Sequence, residues 1–236
     1  MEYWQLIVLF GSCFLGGISI FFFRKDATRD LKLLLSFSGA YLFAITALHL
    51  MPDVFRSNDP NIGLYVLGGF LFQVVLEQLS HGIEHGHVHA HEHDRVAFPW
   101  GIMLSLCLHA FLEGMPIAEG HQNELVFGIA LHHIPAAFAL ASVLLQNHVR
   151  KNVIIILLLV FALMAPLGYV SSSVISHTTS IGISAYFDKM MGIVIGIFLH
   201  ISTTILFESS VDHHFNRRKL IAVLGGVGVA LIGFFI

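Results

Sequence analysis

Apolar residues run along this chain in eight long stretches separated by short polar breaks. The stretches are Trp4–Phe23, Leu31–Phe55, Ile62–Ser80, Phe98–Ala118, Leu125–Gln146, Val153–Ser173, Ala185–Glu208 and Leu220–Ile236. A helix needs about 20 mostly apolar residues to cross the hydrocarbon core of a bilayer, and each stretch is near that length. The pattern predicts an all-α membrane protein, an eight-transmembrane-helix bundle. With the chain almost fully used in spans, residues 1–236 read as a single transmembrane domain with no room for a soluble one.

Composition agrees: 56% of residues are hydrophobic and 11% charged, and the mean hydropathy is +0.80, far from a soluble globular domain. The first span follows Met1-Glu2 without a basic residue and has no small-residue cleavage site behind it, so it is expected to stay in the mature protein. Cys13 and Cys107 lie inside spans without CxxC spacing and read as small buried apolar side chains. No basic or aromatic patch suggests nucleic acid as a partner.

The placement of charge gives an orientation. Arg24, Lys25, Arg29 and Lys32 lie in or beside the first loop, Arg95 in the third, Arg150 and Lys151 in the fifth, and Arg217, Arg218 and Lys219 in the seventh. The opposite side has only Arg56 and Lys189. The positive-inside rule then puts the odd loops in the cytoplasm and both termini outside. Residues 81–97 become a His-rich cytoplasmic loop, in which His85, His87, His89, His91 and His93 alternate with mostly small residues. Such a tract suits many weak metal contacts and reads as an accessory cytoplasmic metal-binding segment beside an exit.

Ionisable residues inside a span cost roughly 2.5 to 3.5 kcal/mol on insertion scales and usually mark a site or pathway. Span four reads LSLCLHAFLEGMPIAEG and places His109 and Glu113 four apart, on one helical face. Span five reads FGIALHHIPAAFALAS and carries His132 and His133 ahead of Pro135. Pro135 leaves the carbonyl of Leu131 without its helical donor, a break that should face protein or water rather than lipid. Imidazoles and a carboxylate on two helices joined by a short loop suit Zn²⁺ or another borderline divalent metal. His109, Glu113, His132 and His133 are the candidate ligands. His132 ranks ahead of His133, since neighbours on a helix point about 100° apart and need not share one ion.

Other polar residues form a candidate pathway. His49 and Asp53 flank Pro52 at the outer end of span two, where a snorkelling pair is the competing reading. Glu77 stands four from Gln73 near the cytoplasmic end of span three, and His200 lies deep in span seven. Pairing of His200 to a neighbouring helix competes with an exit-side ligand role. Prolines in spans two, four, five and six suggest broken helices around a midplane site. Gly16-Gly17, Gly68-Gly69, Gly192 with Gly196, and Gly225-Gly226-x-Gly228 suggest close helix approach.

HAFLEG followed by HHIPAA resembles the paired signature of the ZIP (Zrt/Irt-like) family of divalent metal transporters. In that family the fourth span carries His-Asn-x-x-Asp/Glu-Gly and the fifth His-Glu-x-Pro-His/Glu-Glu/Gly. The resemblance extends to eight spans, outside termini, a histidine-rich loop after span three, and LHLMPD at the end of span two. It implies uptake of Zn²⁺, or of Fe²⁺, Mn²⁺ or Cd²⁺, into the cytoplasm by alternating access, with the metal as cargo and no catalytic cofactor. It also implies that His109, Glu113 and His132 match motif ligands. Ala110, Ala136 and Ala165 stand where family members with two metals carry further ligands, so a single-metal site is expected, with His133 recruited from a former second-site position.

A membrane-embedded zinc-dependent hydrolase is the enzymatic alternative, but HExxH is absent; a metal sensor without transport is the other. The expected partners are a divalent metal ion and the lipid bilayer, with a homodimer left open. The expected location is the inner (cytoplasmic) membrane, as a multi-pass protein.

Overall fold

The computed structural model describes residues 3–22, 27–57, 59–80, 99–119, 123–178, 183–208 and 217–235. All regular structure among the described residues is helical. The helices are α1 (Tyr3–Ile18), α2 (Ala27–Ile45), α3 (Met51–Val54), α4 (Ile62–Ser80), α5 (Trp100–Gly114), α6 (Asn123–Gln146), α7 (Lys151–Thr178), α8 (Ile183–Glu208) and α9 (Arg217–Phe235). Seven candidate spans are long and apolar enough to cross a membrane: Tyr3–Phe21, Leu31–Val54, Ile62–Ser80, Trp100–Ala118, Asn123–Gln146, Lys151–Ser176 and Ala185–Phe207. These fall on the first seven expected stretches with ends shifted by a few residues. α9 covers most of the eighth stretch. The histidine tract lies outside the described residues.

The prolines act differently from one another. Pro52 ends the regular winding of α2: a π segment, Thr46–Leu50, joins α2 to α3, and the Met51 amide reaches back five residues to the Thr46 carbonyl. A proline has no N–H to give the carbonyl four residues before it, and a wider turn accommodates that loss. Pro116 follows the end of α5 and opens a 3₁₀ turn, Pro116–Glu119. Pro135 and Pro166, by contrast, sit inside unbroken α6 and α7. The expectation of broken helices therefore holds for spans two and four and is corrected for five and six. Pro135 itself is buried, as a break in a span's hydrogen bonding should be.

The helices pack as two groups. In one, α1 lies along α6 and α7, and α7 lies along α5; in the other, α8 lies along α4 and α2, and α2 along α9. Two seams join the groups, α2 against α6 and α4 against α5. α5 and α6, neighbours in sequence, have little direct packing on each other.

Glycines set the tightest crossings. A Cβ on Gly114 would run into the Ala165 carbonyl, and one on Gly168 into the Phe111 carbonyl, so α5 and α7 approach backbone to backbone from both sides. Gly69 against Ile193 and Gly196 against Val66 do the same for α4 and α8. Gly68 and Gly228 have no heavy atom near an added Cβ, so the expectation of close approach fails at those two positions.

Candidate metal centre

α5 brings His109 and Glu113 onto one face because four residues make slightly more than one turn. His109 Nε2 stands 3.0 Å from Glu113 Oε1. From α6, His133 Nε2 donates to Glu113 Oε2 at 2.7 Å. Each carboxylate oxygen thus faces an imidazole from a different helix. His132 is set edge-on to His109, with ring centroids 5.9 Å apart at 83°, and 6.3 Å from the His133 ring. Phe161 of α7 closes the far side of His133 at 5.8 Å between centroids.

All four side chains are sealed from outside: Glu113 and His132 are 0% exposed, and His109 and His133 are 1% exposed. A carboxylate buried this deeply needs a strong donor and nearby imidazoles to offset its lost hydration: His133 donates a hydrogen bond and His109 stands against the other oxygen. The Gly114–Ala165 approach holds the turn that carries Glu113 against α7. On α6, a Cβ on Gly16 would lie 2.7 Å from Ile134 Cα, so α1 braces the turn that carries His132 and His133.

Of the two adjacent histidines, His133 meets the carboxylate, whereas His132 is set against the His109 ring. Rotation of α6 about its axis decides this, and one residue is worth about 100°.

Among the described residues, no three His, Cys, Asp or Glu side chains stand ready-made as a metal cage. The ligating atoms of His109, Glu113 and His133 are instead turned on one another. Zn–N and Zn–O bonds of about 2.0–2.1 Å at a tetrahedral angle separate ligand atoms by about 3.3 Å. The observed 3.0 Å and 2.7 Å contacts would have to open by only a few tenths of an ångström to admit an ion. A metal takes imidazole nitrogens and carboxylate oxygens stripped of protons, so entry of an ion replaces the contacts that now tie the three together.

Ala110, Ala136 and Ala165 are 0%, 2% and 1% exposed. These buried positions offer no side-chain ligand, since a methyl group coordinates nothing.

The candidate pathway residues scatter. Asp53 is exposed and pairs with Arg56 at 3.2 Å. His49 is half-buried inside the π segment. Glu77 and His200 meet each other across α4 and α8 at 2.5 Å, with Phe70 edge-on to the imidazole. That contact joins residues 123 positions apart. The expected pairing of His200 to a neighbouring helix holds, and its partner is Glu77, a residue the sequence singled out separately.

A family model described as ZIP Zinc transporter matches residues 85–233. Zinc transporter ZIP1 of Danio rerio is 29% identical over 146 residues, covering 59% of this chain and 47% of that protein. Zinc transporter ZIP9-B of Xenopus laevis is 29% identical over 181 residues, covering 70% of this chain and 58% of that protein. Zinc transporter ZIP1 of Bos taurus is 25% identical over 251 residues, with 91% of this chain and 74% of that protein covered. The chain thus spans about half the length of the first of these relatives and under two thirds of the second.

Proposed function

The chain belongs to the ZIP zinc transporter family, and from that premise we propose that it carries divalent transition-metal ions, Zn²⁺ foremost, across a membrane. The family points to a transporter rather than an enzyme. One observation carries the reading to particular residues: Glu113, sealed inside the helices, with an imidazole from α5 on one oxygen and one from α6 on the other. Those are Zn²⁺ ligand types, held where an ordinary polar pair would be expensive.

In this reading His109, Glu113 and His133 bind the ion, His132 stands beside them as a fourth donor, and the three alanines keep the site to one metal. α9 is the eighth span, the odd loops lie in the cytoplasm, and both termini lie outside. The membrane is the inner one, and two copies of the chain are a tenable assembly. Fe²⁺, Mn²⁺ and Cd²⁺ are competing cargoes, since ligand chemistry alone separates them poorly.

Movement follows from the packing. An ion arriving from outside exchanges water for imidazole and carboxylate. The group α1, α5, α6 and α7 then shifts against α2, α4, α8 and α9 along the α2–α6 and α4–α5 seams. A divalent cation moving inward gains roughly 4.6 kcal/mol per 100 mV, twice the single-charge value, so no hydrolysis step is needed. The test is Zn²⁺ entry into proteoliposomes holding the purified chain, against empty liposomes, with the other ions as competitors. Entry above the empty control supports transport. Tight Zn²⁺ binding with no entry would make the protein a sensor.

A further inference from the structure

Leu158, Phe161 and Ala165 share one face of α7, since they follow one another at helical spacing. Leu158 fills the notch left by Gly17 of α1, and Ala165 lies against Gly114 of α5. Phe161 stands between those two crossings, 1% exposed. It meets α6: its ring centroid is 5.8 Å from that of His133, at 47°. One face of α7 therefore touches α1, α6 and α5 in turn, and the middle contact falls on a candidate ligand.

The two adjacent histidines of α6 are steadied in different ways. His132 has His109 edge-on beside it, and His109 is itself a candidate ligand, so that neighbour would shift when an ion arrived. His133 has Phe161 beside it, whose ring can neither ligate a metal nor exchange a proton. A helical histidine chooses between favoured χ1 rotamers and turns loosely about χ2. The 2.7 Å contact from His133 Nε2 to Glu113 Oε2 needs a narrow setting of both torsions. A buried, rigid ring packed beside the imidazole narrows the choice by shape alone.

The hydrogen bond to Glu113 could not keep that setting through a transport cycle, because an arriving ion replaces it. Phe161 stays when the hydrogen bond is gone. α7 also packs on α1, α5 and α6, so the ring travels with the site when the two helix groups shift.

We propose that Phe161 is a positioning residue for metal capture: its ring holds the His133 imidazole with Nε2 toward Glu113, so that an ion meets a ligand already aimed. The proposal rests on the transport reading above and on the Glu113 centre within it. A ligand aimed beforehand has less freedom to lose when the ion binds, so the effect falls on affinity more than on the rate of the conformational step.

Phe161→Leu tests this, because leucine keeps the position apolar and removes the flat ring. The KM for radioactive Zn²⁺ uptake into proteoliposomes should rise about fivefold, with the maximal rate within about twofold of wild type. The same substitution in a His133→Ala background should leave KM unmoved, since no imidazole remains to be aimed. A cavity in the core would act in both backgrounds alike. An equal rise in KM in the two backgrounds therefore overturns the proposal, as does a wild-type KM in Phe161→Leu. Phe161→Met, which refills the space with a flexible chain, should show the same dependence on His133 and serves if the leucine variant does not fold. Should the unaltered chain carry no Zn²⁺ at all, the transport reading fails and equilibrium dialysis decides in its place. With the five tract histidines replaced by Asn in the full-length protein, the Kd for Zn²⁺ should rise about fivefold in Phe161→Leu, and only while His133 is present. An unchanged Kd, or a change indifferent to His133, overturns the proposal.

Discussion

Two buried His–Glu groups lie in this molecule, and they are built differently. Around Glu113, both carboxylate oxygens are met by imidazoles, no side chain is more than 2% exposed, and α5 and α6 converge with little other contact between them. Around Glu77, the imidazole of His200 meets the carboxylate, both side chains are partly exposed, and α4 and α8 pack tightly through reciprocal glycines. The first group is the main tie between its two helices; the second joins helices that are already joined. Where the polar contact is most of what holds two helices together, displacing it with an ion changes the packing. Where it is additional, losing it leaves the packing in place. A binding centre that drives a conformational step needs the first arrangement.

The largest effect is expected for Glu113→Gln, which removes the charge at the point where two helices meet. Zn²⁺ uptake should drop by about 100-fold or more, because an imidazole pair without its carboxylate binds a divalent ion poorly. Comparison of His133→Ala with His132→Ala comes next. The first should cost about 30-fold in uptake and the second several-fold less, measured as initial rates at saturating Zn²⁺. Equal losses would mean that His132 turns onto the ion when it binds and that the hydrogen-bonded arrangement is only the metal-free one. Glu77→Gln ranks third: it weakens a tie between helices that glycines already hold, so the melting temperature of the purified chain should fall by about 2–4 °C. Replacing His85, His87, His89, His91 and His93 together should have the smallest effect on uptake, read in the same vesicles, since a tract of weak contacts beside an exit does not bear the translocation step.

The spans were legible in the sequence because length and apolarity are local properties: seven expected stretches coincide with candidate spans of the same order and nearly the same bounds. His109 with Glu113 was legible for the same reason, since four residues on one helix must share a face. The choice between His132 and His133 was not, because it depends on how α6 is rotated against α5, which only tertiary packing sets. The Glu77–His200 contact was out of reach for a stronger reason. Nothing local relates residues on helices far apart in the chain, and only the α4–α8 glycine crossings bring them to one level. Pro52 and Pro135 look alike as sequence signals, yet one ends regular α-helical winding and the other sits within a continuous helix.

The account's central claim is that the buried Glu113 centre is where the ion crosses. The direct measurement is the initial rate of radioactive Zn²⁺ entry into proteoliposomes holding equal amounts of wild type, Glu113→Gln and His109→Ala, each checked for an unchanged melting temperature. The account predicts rapid entry with wild type and near-background entry with both variants. Entry at the wild-type rate in either variant would contradict it.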